Sequence, residues 1–211
     1  MRKKLTLMLS LFLIYAVLTG TARAGSPIIS VNPKITGTIE PGDTFLVDIN
    51  ITGVETPGIV QWMIRLKWDP AALNFTIEGG EPVIQEGTFL SQGVSGRTMF
   101  LYTGLNNTAG IFLEITCVMM VTGTRTGDGT LCIANFTAIA PASGSEIGIY
   151  ESALLDENGD YVAHTIQNAT VTVVPEFPAA AILPIFLITT TLVILIVKTV
   201  LLRKRRLPIV P

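Results

Sequence analysis

Apolar and polar residues alternate with a period of two along much of the chain between residues 25 and 174, and Gly, Pro, Asn and Asp separate the alternating segments. The odd positions are apolar in 44–52, and the even positions are apolar in 60–68. This period predicts strands with one buried face. Further candidate strands are 28–31, 73–77, 98–102, 111–121, 131–139, 146–150 and 166–174.

The nine predicted strands indicate an all-β fold. Strands spaced about ten residues apart, with no intervening helical period, are typical of a two-sheet jelly-roll sandwich. Parity places Trp62 and Trp68 on the buried side of their strand. The sequence Gly-Asp-Gly at 127–129 predicts a hairpin turn that joins 111–121 to 131–139.

Charged residues are unevenly distributed along the 211 residues. Four of the 14 Lys and Arg residues lie in the first 24 positions and five lie from Lys198 onward, whereas all 16 Asp and Glu residues lie between positions 25 and 176. With the remaining five cations, the central segment has a formal charge of −11. A surface of this charge repels phosphate, and this argues against a nucleic-acid partner.

Residues 1–24 have the three parts of a secretory signal peptide. The basic sequence Arg-Lys-Lys at 2–4 precedes the apolar stretch 5–18, and small residues then lead to a cleavage site after Ala24. The alternative is a retained anchor, although an apolar stretch of 14 residues is short for a membrane span.

The C-terminal end predicts a single membrane span. Residues 179–197 contain no charge, and as a helix they would measure about 28 Å, which matches the hydrocarbon core of a bilayer. The basic tail 198–211 marks the cytoplasmic side. We therefore expect the domain 25–174 outside the cell, anchored to the membrane.

The junction 175–178 consists of Pro175, Glu176, Phe177 and a second proline. Together with the span and the basic tail, it resembles the Pro-Glu-Phe tripartite sorting signal of archaeal surface proteins. The resemblance implies that an archaeosortase cuts here and that a lipid replaces the tail. The alternative is an ordinary C-terminal anchor, which also holds the domain at the outer face.

Six short sequences between residues 28 and 174 are similar, in order and spacing, to a cohesin domain. They are Gly-Asp-Thr-Phe at 42–45, Ile-Thr-Gly-Val at 51–54, Leu-Lys-Trp-Asp-Pro at 66–70, Gly-Thr-Phe-Leu at 87–90, Gly-Asp-Gly-Thr-Leu at 127–131 and Leu-Asp-Glu-Asn-Gly at 155–159. The resemblance implies a non-catalytic jelly roll that binds dockerin domains. Sandwich relatives of this fold bind carbohydrate.

The resemblance also implies where a dockerin would bind, on the sheet that contains the third, fifth, sixth and eighth strands. In the strand numbering that the resemblance implies, 60–68 is the third strand, 111–121 the fifth and 131–139 the sixth, and we take the outward positions of the third and fifth. These candidates are Met63, Arg65, Lys67, Phe112, Glu114, Val118 and Met120. They would form an apolar contact surface with a charged rim. The alternative is that a loop or another subunit covers them.

Two other functions stay open. A polysaccharide-binding module would stack sugar rings on exposed aromatic residues, for which Tyr102, Tyr150, Tyr161 and Phe112 are the candidates. A structural glycoprotein of the cell envelope would use the sandwich as a spacer.

Cys117 and Cys132 are the only cysteines, and an even count in an exported chain predicts one disulfide. On the predicted hairpin the two residues would face each other from the apolar sides of their strands. The alternative is two buried free thiols.

The chain has five N-x-[ST] sequences where composition predicts about one, and this excess indicates N-glycosylation. The acceptors are Asn50, Asn74, Asn106, Asn135 and Asn168. Because Asn135 lies on the outward side of the predicted sixth strand, a glycan there would obstruct the docking sheet.

Catalytic and metal-binding patterns are weak. The single histidine, His164, has no Ser, Cys or carboxylate at the spacing of a known triad, and the pair Glu78 and Glu81 is unremarkable in a chain with 16 acids. Residues 156–160 begin like a calcium loop, but Tyr161 and Gln167 stand where an EF-hand requires Gly and Glu. We therefore expect no enzyme, no metal and no cofactor, and interpret 156–160 as a tight strand connection, with a weak calcium site of another type as the alternative.

Overall fold

The computed structural model describes residues 25–175 and 186–198. The first range is a β-sandwich with thirteen strands and one short helix. The strands are β1 (Ile28–Lys34), β2 (Thr44–Ile59), β3 (Gln61–Trp68), β4 (Leu73–Phe75), β5 (Ile77–Glu78), β6 (Glu81–Pro82), β7 (Ile84–Glu86), β8 (Thr98–Asn106), β9 (Ile111–Met119), β10 (Arg125–Ala138), β11 (Ala142–Leu155), β12 (Thr165–Gln167) and β13 (Ala169–Val173). Helix α1 (Thr88–Ser91) follows β7, and residues 186–198 are helical.

Two sheets form the sandwich. The six-stranded sheet has the order β12-β1-β2-β10-β4, with β7 also paired to β10, and the five-stranded sheet has the order β13-β11-β3-β9-β8. Strands β5 and β6 form a separate hairpin around Gly79 and Gly80, whose φ angles of 60° and 91° suit a tight turn. The prediction of an all-β sandwich with two sheets is confirmed.

The inward positions of β2 and β3 are those that the alternation predicts. They are Phe45, Val47, Ile49 and Ile51 on β2 and Trp62, Ile64, Leu66 and Trp68 on β3, and each is at most 7% exposed. Burying one such side chain stabilises the fold by about 1.5–3 kcal/mol, and a slip of one residue would expose the whole set. The alternation therefore determines the register of these strands.

Aromatic rings hold the two sheets together. Phe75 and Phe136, from the six-stranded sheet, have ring centroids 5.1 Å apart. Phe75 also packs edge-on against Phe112 of β9 at 5.1 Å, and Phe136 packs edge-on against Trp68 of β3 at 5.4 Å. These contacts join both sheets into one core.

The predicted strand 166–174 is in fact two strands that belong to different sheets. β12 pairs with β1, whereas β13 pairs with β11. Asn168 lies between them, where its Oδ1 accepts a hydrogen bond from Ile149 N at 3.0 Å and its Nδ2 donates to Glu146 Oε1 at 2.6 Å. This side chain therefore supplies hydrogen bonds at the point where the chain changes sheets.

The hairpin predicted at 127–129 is wrong. These residues lie inside β10, at shifts in its pairing register with β2, and Asp128 Oδ1 accepts a hydrogen bond from Gly53 N at 2.7 Å. Strand β9 instead pairs with β3 and β8. The chain therefore crosses from one sheet to the other between β9 and β10.

Several predictions for the two ends fall on residues that the structure does not describe. These are the signal peptide 1–24, residues 176–178 of the junction, the first part of the span, 179–185, and the tail after Lys198. The rest of the predicted span, 186–197, belongs to the described helix. Within the described residues, no helix has both the length and the apolar character needed to cross a membrane.

Candidate functional site

The outward face of the five-stranded sheet has an apolar region formed by two neighbouring rows of side chains. The pairing of the strands places Leu101, Thr116, Met63 and Ala153 side by side in one row. The neighbouring row contains Met99, Val118, Gln61 and Leu155. Leu101 is 50% exposed and Met99 is 44% exposed, and Met120, just beyond β9, is 60% exposed. We refer to Met63, Met99, Leu101, Val118 and Met120 as the apolar patch.

A β-bulge in β9 changes which side chains reach this face. Ile64 pairs with Ile115, but Leu66 pairs with Phe112, so Leu113 and Glu114 together lie opposite Arg65. The extra residue reverses the parity, and both Phe112 and Ile115 point into the core with no exposed surface. The prediction that Phe112 contacts a partner is therefore wrong, and Leu113, 46% exposed, takes the outward position.

Charged residues occupy the other half of the same face. Arg65 Nη1 lies 2.5 Å from Glu151 Oε2, and Lys67 Nζ lies 3.9 Å from Glu146 Oε1. Glu114 belongs to the bulge and is half-buried. Because these ion pairs are open to water, they contribute little to stability and leave both signs of charge available beside the apolar patch.

A shallow cavity of about 280 Å³ opens at the edge of the apolar patch. Its lining residues are Leu101, Tyr102, Thr103, Glu114 and Thr116. Thr116 Oγ1 donates a hydrogen bond to the Trp62 carbonyl at 2.9 Å. The cavity thus combines apolar walls with a single carboxylate, a composition that suits one side chain of a partner.

Residues on β8 complete the apolar patch and were not among the predicted site residues. Segment 98–102 is apolar at four consecutive positions, so parity alone does not show which side is outward. The structure turns Phe100 toward Trp62, with ring centroids 6.1 Å apart, and this leaves Met99 and Leu101 on the outward side. The sequence signal that could have found these two residues is the position of the aromatic residues: if Phe100 is assigned to the core, Met99 and Leu101 lie on the outward side.

The outward face of the six-stranded sheet is mostly polar, and Leu46 is an exposed apolar exception on it. Lys34 Nζ pairs with Asp48 Oδ2 at 2.7 Å, and Thr76 Oγ1 contacts Thr137 Oγ1 at 2.8 Å and Asn135 Oδ1 at 3.3 Å. Asn135 lies here because β10 pairs with β2 and β4. The prediction that a glycan on Asn135 would obstruct the docking sheet is therefore wrong.

Cys117 and Cys132 are both buried and are free thiols in the structure. Since their strands belong to different sheets, the predicted cross-strand pairing on a hairpin is wrong. Burial, followed by the nearby Glu86 carboxylate, raises the pKa of Cys117 to about 12. Burial is also the main cause that raises the pKa of Cys132. Both thiols thus stay protonated near neutral pH, and the disulfide stays a prediction.

The structure places a serine beside His164, which spacing along the chain does not predict. Ser152 Oγ lies 2.7 Å from His164 Nε2, and His164 Nδ1 lies 2.9 Å from the Val162 carbonyl. A carbonyl only accepts, so Nδ1 carries the proton and, in the neutral ring, Nε2 accepts from the serine hydroxyl. The pair ties β11 to the segment before β12.

The remaining acidic candidates occupy turns. Glu78 and Glu81 lie opposite each other on the exposed β5–β6 hairpin. Asp156 Oδ1 accepts hydrogen bonds from Asn158 N at 2.8 Å and Asp160 N at 2.9 Å, so the tight strand connection predicted at 156–160 is confirmed. Within the described residues, His, Cys, Asp and Glu side chains form no cluster of three that could hold a metal.

Among the residues that the structure describes, the exposed aromatic side chains do not form a common platform. Tyr161 is 81% exposed and pairs with Leu155, whereas Tyr150 lies five residues earlier on β11, about 17 Å away by strand rise. Trp62 and Trp68 are buried, as parity predicts. The geometry therefore favours a protein contact over stacking on a sugar.

Solved structures of cohesins share this architecture. A type II cohesin domain from the cellulosome of Acetivibrio cellulolyticus aligns with a TM-score of 0.55 and 19% identity over 70% of this chain and 95% of that one. A non-cellulosomal cohesin from the hyperthermophilic archaeon Archaeoglobus fulgidus aligns with a TM-score of 0.52 and 16% identity, covering 71% of this chain and 92% of that one.

A third similar structure contains a bound partner. The sixth cohesin of scaffoldin B from Acetivibrio cellulolyticus, in complex with a mutant Cel5 dockerin, aligns with a TM-score of 0.52 and 19% identity over 71% of this chain and 99% of that one. No family model matches the sequence, and no curated protein matches it. The three structural alignments show that the domain has the cohesin fold.

Proposed function

We propose that this protein is a non-catalytic docking module that binds a dockerin-bearing protein through the outward face of its five-stranded sheet. The observation that carries the proposal is the apolar patch. Single exposed apolar residues are ordinary on protein surfaces, but a group that spans three adjacent strands and is bordered by charge is typical of an interface. The cohesin fold supports a dockerin as the partner.

The proposal also places the module outside the cell, held at the membrane by its C-terminal segment. The acidic domain lies between two basic, apolar ends in the sequence. Helix 186–198 supports an anchor because nine of its 13 residues are apolar, and Phe186, Ile188 and Ile194 among them are each at least 64% exposed. A helix with so much exposed apolar surface requires an apolar environment.

Affinity capture tests the proposed docking. The full chain, solubilised in detergent and immobilised, is incubated with the secreted fraction of the source organism in the presence of calcium. We expect it to retain a protein that contains a duplicated calcium-loop module. Leu101→Glu places a charge in the apolar patch, and we expect at least a tenfold loss of retained partner.

The matched control is Leu46→Glu, because Leu46 is 43% exposed on the outward face of the six-stranded sheet. We expect this variant to retain the partner as the unmodified chain does. Equal loss in both variants would contradict the proposed face. Retention of polysaccharide alone would contradict the proposed partner.

A further inference from the structure

Asn106 is the last residue of β8 and Asn107 begins the turn to β9, and their side chains have opposite roles. Asn107 accepts a hydrogen bond from Phe75 N at 2.7 Å and donates one to the Phe75 carbonyl at 2.9 Å, and so fixes the hairpin against β4. Asn106 Oδ1 accepts from Ala109 N at 3.0 Å within the turn. Among the described residues its Nδ2 has no hydrogen-bond partner, and the residue is exposed.

We propose that Asn106 is the principal N-glycan acceptor of the domain, an inference that rests on the proposed location outside the cell. The Asn106 amide nitrogen and the hydroxyl-bearing Thr108 are both on exposed residues of a turn that Asn107 holds in place. An N-linked glycan needs this combination, because the amide nitrogen must reach the donor and the attached sugar must project into water.

At each of the other four acceptors, the asparagine side chain or the threonine hydroxyl of the acceptor sequence is hydrogen-bonded to a residue distant in the chain. Asn168 Nδ2 already donates to Glu146 at 2.6 Å, and a glycan there would remove the contact at the sheet crossing. The hydroxyl groups that belong to the Asn74 and Asn135 sequences contact each other, since Thr76 and Thr137 lie 2.8 Å apart. Asn50 is half-buried in the interior of β2 and accepts from Thr130 Oγ1 at 3.0 Å.

The transfer needs a donor of one chemical class, an oligosaccharide linked through diphosphate to a polyprenyl lipid. The Asn106 amide nitrogen forms a bond to the anomeric carbon of the sugar. The bond between that carbon and the phosphate oxygen breaks, and the lipid diphosphate leaves with the electron pair. The amide proton passes to a base of the transferase.

A glycan at Asn106 is compatible with docking on the same sheet. Asn106 lies five residues along β8 from Leu101, about 17 Å by strand rise, at the end of the strand away from the apolar patch. The sugar would therefore border the sheet and leave the patch open.

Site-by-site mass spectrometry tests this inference. The full chain is expressed in its source organism, recovered from the membrane fraction and digested, and the occupancy of each of the five acceptors is measured from its peptides. We expect the highest occupancy at Asn106. We expect Asn106→Gln to lower the intact mass by one glycan, whereas Asn50→Gln, the matched control, changes it only by the substitution.

Two further variants separate glycan transfer from misfolding. Thr108→Ala removes the hydroxyl and leaves Asn106 in place, and we expect it to abolish the glycan, whereas Thr108→Ser retains it. A bare Asn106, or higher occupancy at another acceptor, in protein recovered from the cell surface would overturn this inference and leave the proposed location standing. Recovery of the chain only from inside the cell would overturn both.

Discussion

The two sheets of the sandwich share one core but have different outward faces. The six-stranded sheet carries Asn, Thr and the Lys34–Asp48 pair on its outward face, whereas the five-stranded sheet carries the apolar patch. Both sheets contribute the same kind of inward residues, so core packing does not require this difference. The asymmetry therefore supports the proposal that a partner binds to the outward face of the five-stranded sheet.

The largest expected effect tests the β9 bulge, which sets which side chains lie on the outward face of the five-stranded sheet. Phe112→Ala removes a fully buried ring, and we expect it to lower the free energy of unfolding by about 3–5 kcal/mol. Leu113→Ala, one residue away and on the outward side, is the control and should cost less than about 1 kcal/mol. Denaturant titration measures both values. Similar costs for the two variants would contradict the reversed parity.

The second prediction compares the ion pairs of the two faces. Lys34→Ala leaves the Asp48 carboxylate, whose side chain is 11% exposed, without its cation, and we expect a loss of roughly 1–3 kcal/mol. Arg65→Ala breaks a pair whose side chains are 35% and 49% exposed, and we expect a loss of about 0–1 kcal/mol. Urea unfolding of both variants measures the difference. A larger loss for Arg65→Ala would show that the exposed pair supports the fold.

The third prediction concerns the loop that leads from β11 toward β12, between the two sheets. Hydrogen bonds from the backbone N–H groups of Asp160 and Asn158 hold the pKa of Asp156 below its ordinary value of 3.8. A carboxyl group whose pKa is lower in the folded chain than in the unfolded chain stabilises the fold at pH values above its unfolded-state pKa. This contribution is lost as the pH falls through the folded-state pKa.

We therefore expect the unfolding temperature to decrease when the pH is lowered below about 4, in part because Asp156 becomes protonated. Asp156→Asn keeps an acceptor oxygen but removes the charge, so it should unfold at a lower temperature than the unmodified chain at neutral pH. The gap should narrow under acidic conditions. Thermal melts across this pH range measure it, and a constant gap would contradict the assignment.

The last prediction concerns the reactivity of the two thiols, one from each sheet, and involves no change in the stability of the fold. With its pKa raised to about 12, Cys117 is protonated at pH 8, and Cys132 is fully buried. We expect neither to react with an alkylating agent until the chain unfolds, and then both to react without reductant, as intact mass will show. Unfolded chains that react only after reduction would instead contain the disulfide that the even cysteine count predicts.

Local alternation predicted the core of this protein well. The inward sets of β2 and β3 follow from their period of two, because in a strand the side-chain direction reverses at every residue. Both tryptophans are buried as predicted. The turn at 156–160 was also predicted, since its hydrogen bonds connect residues close in sequence.

The proposed docking face was predicted only in part, because it depends on pairing between distant strands. Met63, Arg65 and Lys67 lie outward as expected, and Val118 and Met120 also belong to the face. Phe112 does not, since one extra residue in β9 reverses its direction. Met99 and Leu101 enter the face through the pairing of β8 with β9.

The sequence by itself determined the buried sides of β2 and β3 and the position of an acidic segment between basic ends. These features depend on residues within one strand or on composition. Only the tertiary structure decided that β9 and β10 belong to different sheets, that Asn135 and the apolar patch lie on opposite faces, and that 166–174 changes sheets at Asn168. These features depend on hydrogen bonds between strands that are far apart in the chain. The sequence alone does not show them, because a strand has the same period of two in either sheet.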